Sequence, residues 1–385
     1  MRVAVDATGL GSGQGGDETM MAGLLEGLAE AARPGDSFPL IVRDGVTLPA
    51  PVADHPAFSV HSMRRLPGAL HFTARLPRAL SRLRPVPDLV CAVTHGPLRS
   101  PAPVALFVQD LSFHHHPEHY PVVARWRLRT VVPRQARRAR AVLTVSEFSR
   151  SDLIASYELP PEQVVVVPDA VAVPPPWDDT AAAEGRQWLA SQGVDGRFIL
   201  CLGNLHPRKN VARLVAGFAQ ARAGAPDLAD VRLVVAGARW WGAGEAAAAA
   251  QAPDGSVVFL GRFDDDRREQ LLRLADALAY VSVFEGFGLP PLEAMARGTV
   301  VLASDATAVA ETAGDGALLV DPYDVHAIAE GLVRVLSDEQ LRVELRRRGA
   351  ARAAGYDVGS TGRRAREAFA AAIGLTAAPR PGAVS

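Results

Sequence analysis

Short apolar runs bounded by turn residues recur along the chain and alternate with longer stretches of helical spacing, the pattern produced by βα units around a parallel sheet. Two series are visible. The first comprises residues 2–6, 38–42, 88–93, 104–110, 141–146 and 164–167; the second comprises 198–203, 231–237, 257–261, 277–282, 300–304 and 317–321. Between them, 168–180 interrupts the alternation with Pro174-Pro175-Pro176, whose fixed φ gives stiff, extended backbone suited to a connection between domains. After the second series, 325–352 and 359–373 read as helices, and the stretch from Thr376 has no apolar period. The pattern predicts a first domain over 1–173, a linker over 174–185, a second domain over 186–358, a C-terminal helix over 359–374 packing back on the first domain, and a disordered tail over 375–385.

The class is therefore α/β, with two Rossmann-like doubly wound domains. Open parallel sheets bind ligands beyond the carboxyl ends of their strands, so a reaction is expected in a cleft between two such domains facing each other.

Composition narrows the picture. A chain of 385 residues exceeds what one hydrophobic core usually supports, and 48% apolar with 22% charged residues is ordinary for a globular protein. The 41 Lys and Arg nearly cancel the 42 Asp and Glu, so the whole chain has no electrostatic pull toward nucleic acid. Cys91 and Cys201 sit in apolar runs without metal-type spacing and read as core thiols in a reducing compartment. No apolar stretch has signal-peptide or membrane-spanning length, so a cytoplasmic protein is expected, with association at the inner membrane surface left open. Locally, Arg125, Arg127, Arg129, Arg134, Arg137, Arg138 and Arg140 make one segment basic. That segment reads either as a solvated helix face or as an attractant for an anionic lipid surface or a phosphorylated acceptor.

The strongest chemical signal follows the run 277–282: Glu285-Gly286-Phe287-Gly288-Leu289, with Glu293 a helical stretch further on. Gly286 and Gly288 let backbone approach a ligand closely, and the start of the following helix favours an anion such as a diphosphate. Glu285 and Glu293 can accept hydrogen bonds from sugar and ribose hydroxyls; equally, one could be a turn residue and the other a solvated helix carboxylate. Arg208 and Lys209, on the loop after 198–203, can neutralise a diphosphate or simply form a solvated basic pair.

This Glu, seven residues, Glu pattern with its Gly-Phe-Gly core resembles glycosyltransferase family 4. Supporting likenesses run through nearly the whole chain: Leu202-Gly203-Asn204-Leu205-His206-Pro207-Arg208-Lys209-Asn210, the segment 257–280, Ala310-Glu311-Thr312 through Asp321-Pro322, Val145-Ser146-Glu147-Phe148-Ser149 and Val166-Val167-Pro168-Asp169-Ala170. The resemblance implies a GT-B fold whose C-terminal domain holds a nucleotide sugar. It implies Arg208 and Lys209 at the diphosphate, Glu285 at the sugar and Glu293 at the ribose. Gly203, Asn204, Arg262, Gly286, Phe287, Gly288 and Leu289 complete the donor contacts so implied. Two fixed cations beside helix amides would stabilise a departing diphosphate without a metal ion, which leaves Asp264 to Asp266 no metal role. No cofactor is expected, the nucleotide sugar being a substrate.

Gly11, Gly13 and Gly16 fit G-x-G-x-x-G, the dinucleotide fingerprint of dehydrogenases, but they begin well after the first strand run and no ribose-binding acid follows on a second strand. A flexible linker is the plain alternative. In the family resembled, this loop lies near donor phosphate and acceptor, which carries over to Gly15 and Gly16. Gln109-Asp110-Leu111-Ser112-Phe113 stands where the family commonly has His-Asp. Gln109 can hold a sugar hydroxyl but cannot titrate, so it cannot serve as acid or base. Asp110 orients an acceptor or caps a turn, and His114 to His116 read as surface polar residues or acceptor contacts.

The resemblance implies a retaining hexosyltransferase, and with no second carboxylate placed as a nucleophile the expected route is same-face substitution. The donor is GDP-mannose-like or a UDP sugar, and the acceptor a saccharide, lipid-linked or natural-product hydroxyl. Alternatives are a nucleotide-sugar epimerase or phosphorylase on the same fold, a catalytically silent nucleotide-sugar-binding partner motivated by Gln109, and a dehydrogenase.

Overall fold

A computed structural model of the chain describes residues 1–11, 15–64, 69–238 and 255–375. The chain divides into two compact units, Met1–Ala170 with Tyr356–Ser385, and Val171–Gly355. The expected tail over 375–385 lies, beyond Leu375, outside the described residues, as do Gly13 and its neighbours in the first glycine-rich loop.

In the first unit, the described residues form a seven-stranded sheet in the order β3-β2-β1-β4-β5-β6-β7. These are β1 Val3–Asp6, β2 Phe38–Arg43, β3 Phe58–Met63, β4 Leu89–Val93, β5 Val104–Phe107, β6 Ala141–Thr144 and β7 Val164–Val166. All pairings are parallel; β1, for instance, sets Val5 against Leu40 on one side and Cys91 on the other. The strands β1 and β4 to β6 are almost wholly buried, which is why each reads as an unbroken apolar run rather than an alternation. Strand β3 escaped the apolar pattern for the opposite reason. It is the sheet edge, and Ser59, His61 and Ser62 give it no apolar run to detect.

The second unit carries six described strands in the order β10-β9-β8-β11-β12-β13, again all parallel: β8 Phe198–Leu202, β9 Arg232–Ala236, β10 Val257–Gly261, β11 Ala277–Tyr280, β12 Val300–Ser304 and β13 Leu318–Val320. Its core joins Ile199, Leu233, Val235, Ala279 and Leu302 from the sheet to Leu214 and Phe218 of helix Val211–Gly224 and Ile328, Leu332 and Val335 of helix Val325–Ser337. In this order the chain reverses direction across the sheet between β8 and β11. The loops after those two strands therefore diverge at a switch point, where ligands of doubly wound sheets bind.

Two boundaries differ from expectation. Residues 174–185 do not all serve as connection: Asp178 caps a helix, Asp179–Ser191, its carboxylate accepting from the Ala181 amide at 2.9 Å. The expected helix over 325–352 is two helices, Val325–Ser337 and Glu339–Ala354, because Asp338 caps the second through the Leu341 amide at 3.0 Å. The last helix, Val358–Ala372, packs on Gly15–Ala31 within the first unit. Contact there is backbone on backbone: a Cβ on Gly362 would come within 1.8 Å of the Gly27 carbonyl oxygen. Arg366 reinforces it, donating to Asp36 at 2.7 Å. Both cysteines are buried thiols. Among the described residues, no helix is long and apolar enough to cross a membrane.

Candidate active site

The two loops at the second unit's switch point meet. After β8, Gly203 adopts φ 132°, and a Cβ there would lie 3.3 Å from Lys209 Cε, so glycine makes room for the lysine to fold back over the strand end. The turn Pro207–Lys209 begins at His206, whose Nδ1 accepts the Arg208 amide at 3.2 Å. It ends at Asn210, which is left-handed (φ 59°) and buried. The Asn210 amide nitrogen donates to the carbonyls of Val281 at 3.0 Å and Pro322 at 2.6 Å, and the Val283 amide donates to the Arg208 carbonyl at 2.8 Å. These bonds fasten the basic turn to the segment leaving β11.

That segment presents Glu285, which is 5% exposed. Arg208 donates through Nη1 to the Glu285 carboxylate and to the Phe284 carbonyl, the latter at 3.1 Å. Lys209 Nζ lies 2.7 Å from Glu285 Oε1, donates to the Tyr280 hydroxyl and sits 4.3 Å from the centre of the Tyr280 ring. Burial by itself would raise the Glu285 pKa, but the charges of Arg208 and Lys209 outweigh it and hold the carboxyl down at about 2. Burial draws the Lys209 pKa below its ordinary value, with Glu285 opposing it. The site therefore presents a carboxylate with two cations, one of them buried with it.

The backbone of Glu285 is held as firmly as its side chain. Its amide donates to Thr307 Oγ1 at 3.1 Å, and its carbonyl accepts from Ala308 at 3.4 Å. Thr307 holds φ 55°, a conformation that β-branched residues rarely take. Strain at that position is tolerated because the hydroxyl is then aimed at the Glu285 amide.

Gly288 (φ 103°) precedes helix Leu289–Ala296, and Thr312 donates to the Phe287 carbonyl at 2.6 Å. Pro290 and Pro291 carry no N–H, so the anion-binding amides expected of that helix's first turn reduce to Leu289, supplemented by the turn Gly286 to Gly288. Glu293 is buried, with Oε2 2.5 Å from Arg268 Nη2; Arg297 donates to its carbonyl at 3.0 Å and pairs with Glu269 at 2.6 Å. Arg262 is exposed on the loop after β10. Asp264 caps helix Asp265–Leu274 by accepting the Arg267 amide at 2.9 Å, a structural use for the first residue of that acidic run.

In the first unit, Gln109 Nε2 donates to Asp17 at 3.2 Å, tying the segment after β5 to the helix that opens with Gly15 and Gly16. Asp110 Oδ1 accepts from the Ser112 amide at 2.8 Å and hydroxyl at 2.6 Å, which is turn chemistry, and the Ser112 hydroxyl lies 2.6 Å from that of Tyr120. His115 pairs with Asp152 at 2.8 Å. Among the described residues, His116, Glu118 and His119 bring their ligand-type atoms within 4.8 Å of one another.

Sequence reasoning missed three partners. Tyr280 lies inside the apolar run 277–282, and Thr307 and Arg268 lie in stretches to which the sequence attaches no motif. Only Tyr280 left a trace in the sequence, a hydroxyl at the mouth of a strand directly before the glycine turn.

Comparison with known proteins bears on the family and the fold. Residues 15–173 match the family model described as Glycosyltransferase Family 4, and residues 187–352 match Glycosyl transferases group 1. The O-antigen chain mannosyltransferase B of Escherichia coli is 31% identical over 251 residues, 63% of this chain and 64% of the relative. The MMP alpha-(1->4)-mannosyltransferase of Mycolicibacterium hassiacum is 34% identical over 234 residues, 60% of this chain and 53% of the relative. The chain thus spans less than two thirds of the length of these relatives. Among solved structures, WaaG, a glycosyltransferase involved in lipopolysaccharide biosynthesis, superposes with TM-score 0.69 at 17% identity, covering 95% of this chain and 98% of that one. Anabaena HepE in complex with UDP and glucose superposes with TM-score 0.67 at 19% identity, covering 96% and 99%. The fold is GT-B, and with its two halves matched in turn, the chain belongs to the family 4, group 1 glycosyltransferases.

Proposed function

We propose that the protein transfers a hexosyl group, with retention and without a metal ion, from a nucleoside-diphosphate sugar to a hydroxyl of a saccharide or lipid-linked acceptor. One observation carries the proposal: Glu285 buried against Arg208 and Lys209 at the switch point of the second unit. Two cations held by a single carboxylate are poised to exchange it for a donor diphosphate. Arg208 then offers a planar fork and Lys209 a compact charge to the phosphate oxygens, most strongly as the leaving group gains charge. Released from them, Glu285 becomes an acceptor for sugar hydroxyls. The departing phosphate oxygen, held against Arg208 and Lys209, is the base this reading assigns to the acceptor's proton, which makes the reaction a same-face substitution.

The mannosyltransferase relatives support a GDP-mannose donor, and the HepE complex keeps a UDP sugar as the rival. Gln109 bonded to Asp17 favours a second reading, a silent nucleotide-sugar-binding partner, because the position lacks a titratable ring. The test incubates GDP-mannose or UDP-glucose with mannosylated and lipid-linked acceptors and follows nucleoside diphosphate release, with product anomeric configuration read by NMR. Acceptor-dependent release with a retained anomeric centre supports the transferase. Inversion removes the same-face mechanism, and tight donor binding without release from any acceptor establishes the silent reading.

A further inference from the structure

Helix Val122–Arg138 of the first unit contains six arginines and no acidic residue. Its inner ridge, Leu128, Val132 and Ala136, packs into a core with Leu106, Val142 and Leu153. Its other side does something unusual for a solvated face: Val122, Val123 and Trp126 stand 68%, 81% and 68% exposed, all within the first five residues. At about 100° per residue, Val122, Val123, Trp126, Arg134, Arg137 and Arg138 fall within roughly the half of the helix turned away from the packed ridge, and Arg129 lies at its border. None of the six arginines stands in an ion pair among the described residues. Arg134 and Arg137 donate only to the carbonyls of Thr130 and Tyr157, which leaves their charge uncompensated.

We propose that this face docks on an anionic lipid bilayer, with Val122, Val123 and Trp126 entering the headgroup boundary and Arg129, Arg134, Arg137 and Arg138 lying over lipid phosphates. Cations alone would suit any polyanion. A protruding indole and two valines beside them gain nothing from a soluble polyanion and are stabilised at an interface, where one end of the ring meets hydrocarbon and the other water. The inference does not rest on the transferase reading, since vesicles alone report it.

The experiment is sedimentation of the full chain with vesicles of phosphatidylcholine and with vesicles containing phosphatidylglycerol at roughly one part in three. The wild type is expected to bind the anionic vesicles and not the neutral ones, with a blue-shifted tryptophan emission that weakens in Trp126→Ser. Trp126→Ser should lower partitioning by about tenfold or more through lost apolar burial. Arg129→Gln and Arg134→Gln should each lower it by about fivefold, and added salt should do the same. All three positions are exposed, and an unchanged circular dichroism spectrum and thermal midpoint show that each variant is folded. Absence of binding to anionic vesicles overturns the proposal, as does binding that ignores Trp126→Ser. Equal retention on heparin, lost only in the arginine variants, assigns the face to a soluble polyanion instead.

Discussion

Replacing Glu285 with glutamine separates two roles that the wild-type site combines. The carboxylate now neutralises Arg208, whose side chain is 22% exposed, and Lys209, at 11%. Glutamine keeps the shape and leaves both cations without a counter-charge. Breaking a buried pair by removing one partner costs about 3–5 kcal/mol, and the partial exposure of Arg208 brings the expectation to roughly 3 kcal/mol. For a unit of this size that is a fall of about 6–12 °C in the transition of the second unit. A diphosphate supplies the missing negative charge, so GDP or UDP at about a hundred times its Kd should restore some 2.7 kcal/mol, nearly the whole loss. The same argument predicts that Glu285→Gln binds the nucleoside diphosphate at least as tightly as the wild type, because nothing competes for the cations, while transfer of sugar collapses. Scanning calorimetry with and without nucleotide reads the stabilities, isothermal titration the affinity, and release of nucleoside diphosphate the transfer. A variant as stable as the wild type, or one that binds the diphosphate more weakly, would refute the reasoning that Glu285 holds the place of the donor phosphates.

Other perturbations follow from neighbouring contacts. Thr307→Val keeps the branched shape and the strained φ but removes the acceptor of the Glu285 amide; it should cost about 1–2 kcal/mol and slow transfer, both measurable by denaturation and by turnover. Gly362→Ala, ordinarily stabilising by about 1 kcal/mol within a helix, should destabilise here, since the new Cβ meets the Gly27 carbonyl; a rise in the first unit's midpoint contradicts the backbone contact. Because Glu285 titrates near 2 in the fold and at its ordinary higher value when unfolded, its ionisation stabilises the fold fully above that ordinary range. The contribution is lost as pH falls toward 2, so urea midpoints between about pH 5 and pH 2 should drop more steeply for the wild type than for Glu285→Gln.

Much of this architecture was legible because buried parallel strands are written as plain apolar runs. All six described strands of the second unit stood out, from Phe198–Leu202 to Leu318–Val320. Strand Phe58–Met63 did not, because an edge needs no apolar run and Ser59, His61 and Ser62 supplied none. The helix Asp179–Ser191 was hidden behind three prolines whose influence ends at the capping Asp178. At the site, type and spacing singled out Arg208, Lys209, Glu285 and Glu293 as candidates, and the resemblance of the whole string gave them roles. Their partners were not singled out. Ion pairs such as Arg268 with Glu293, and the hydroxyl of Thr307 beneath the Glu285 amide, are set by the register between loops far apart in the chain, which no local pattern encodes. The prolines after Leu289 carried the reverse lesson: they were plain in the sequence, yet their missing amides matter only once the turn is seen to start the helix there.

The central claim is that Arg208 and Lys209 form a diphosphate site in the second unit, and the most direct measurement is calorimetric titration of UDP, GDP, dTDP and ADP into the wild type and Lys209→Ala. The account predicts selective binding of one nucleotide by the wild type, weakened by on the order of tenfold or more when the buried cation is removed. Binding of none of the four, or binding indifferent to Lys209, contradicts it.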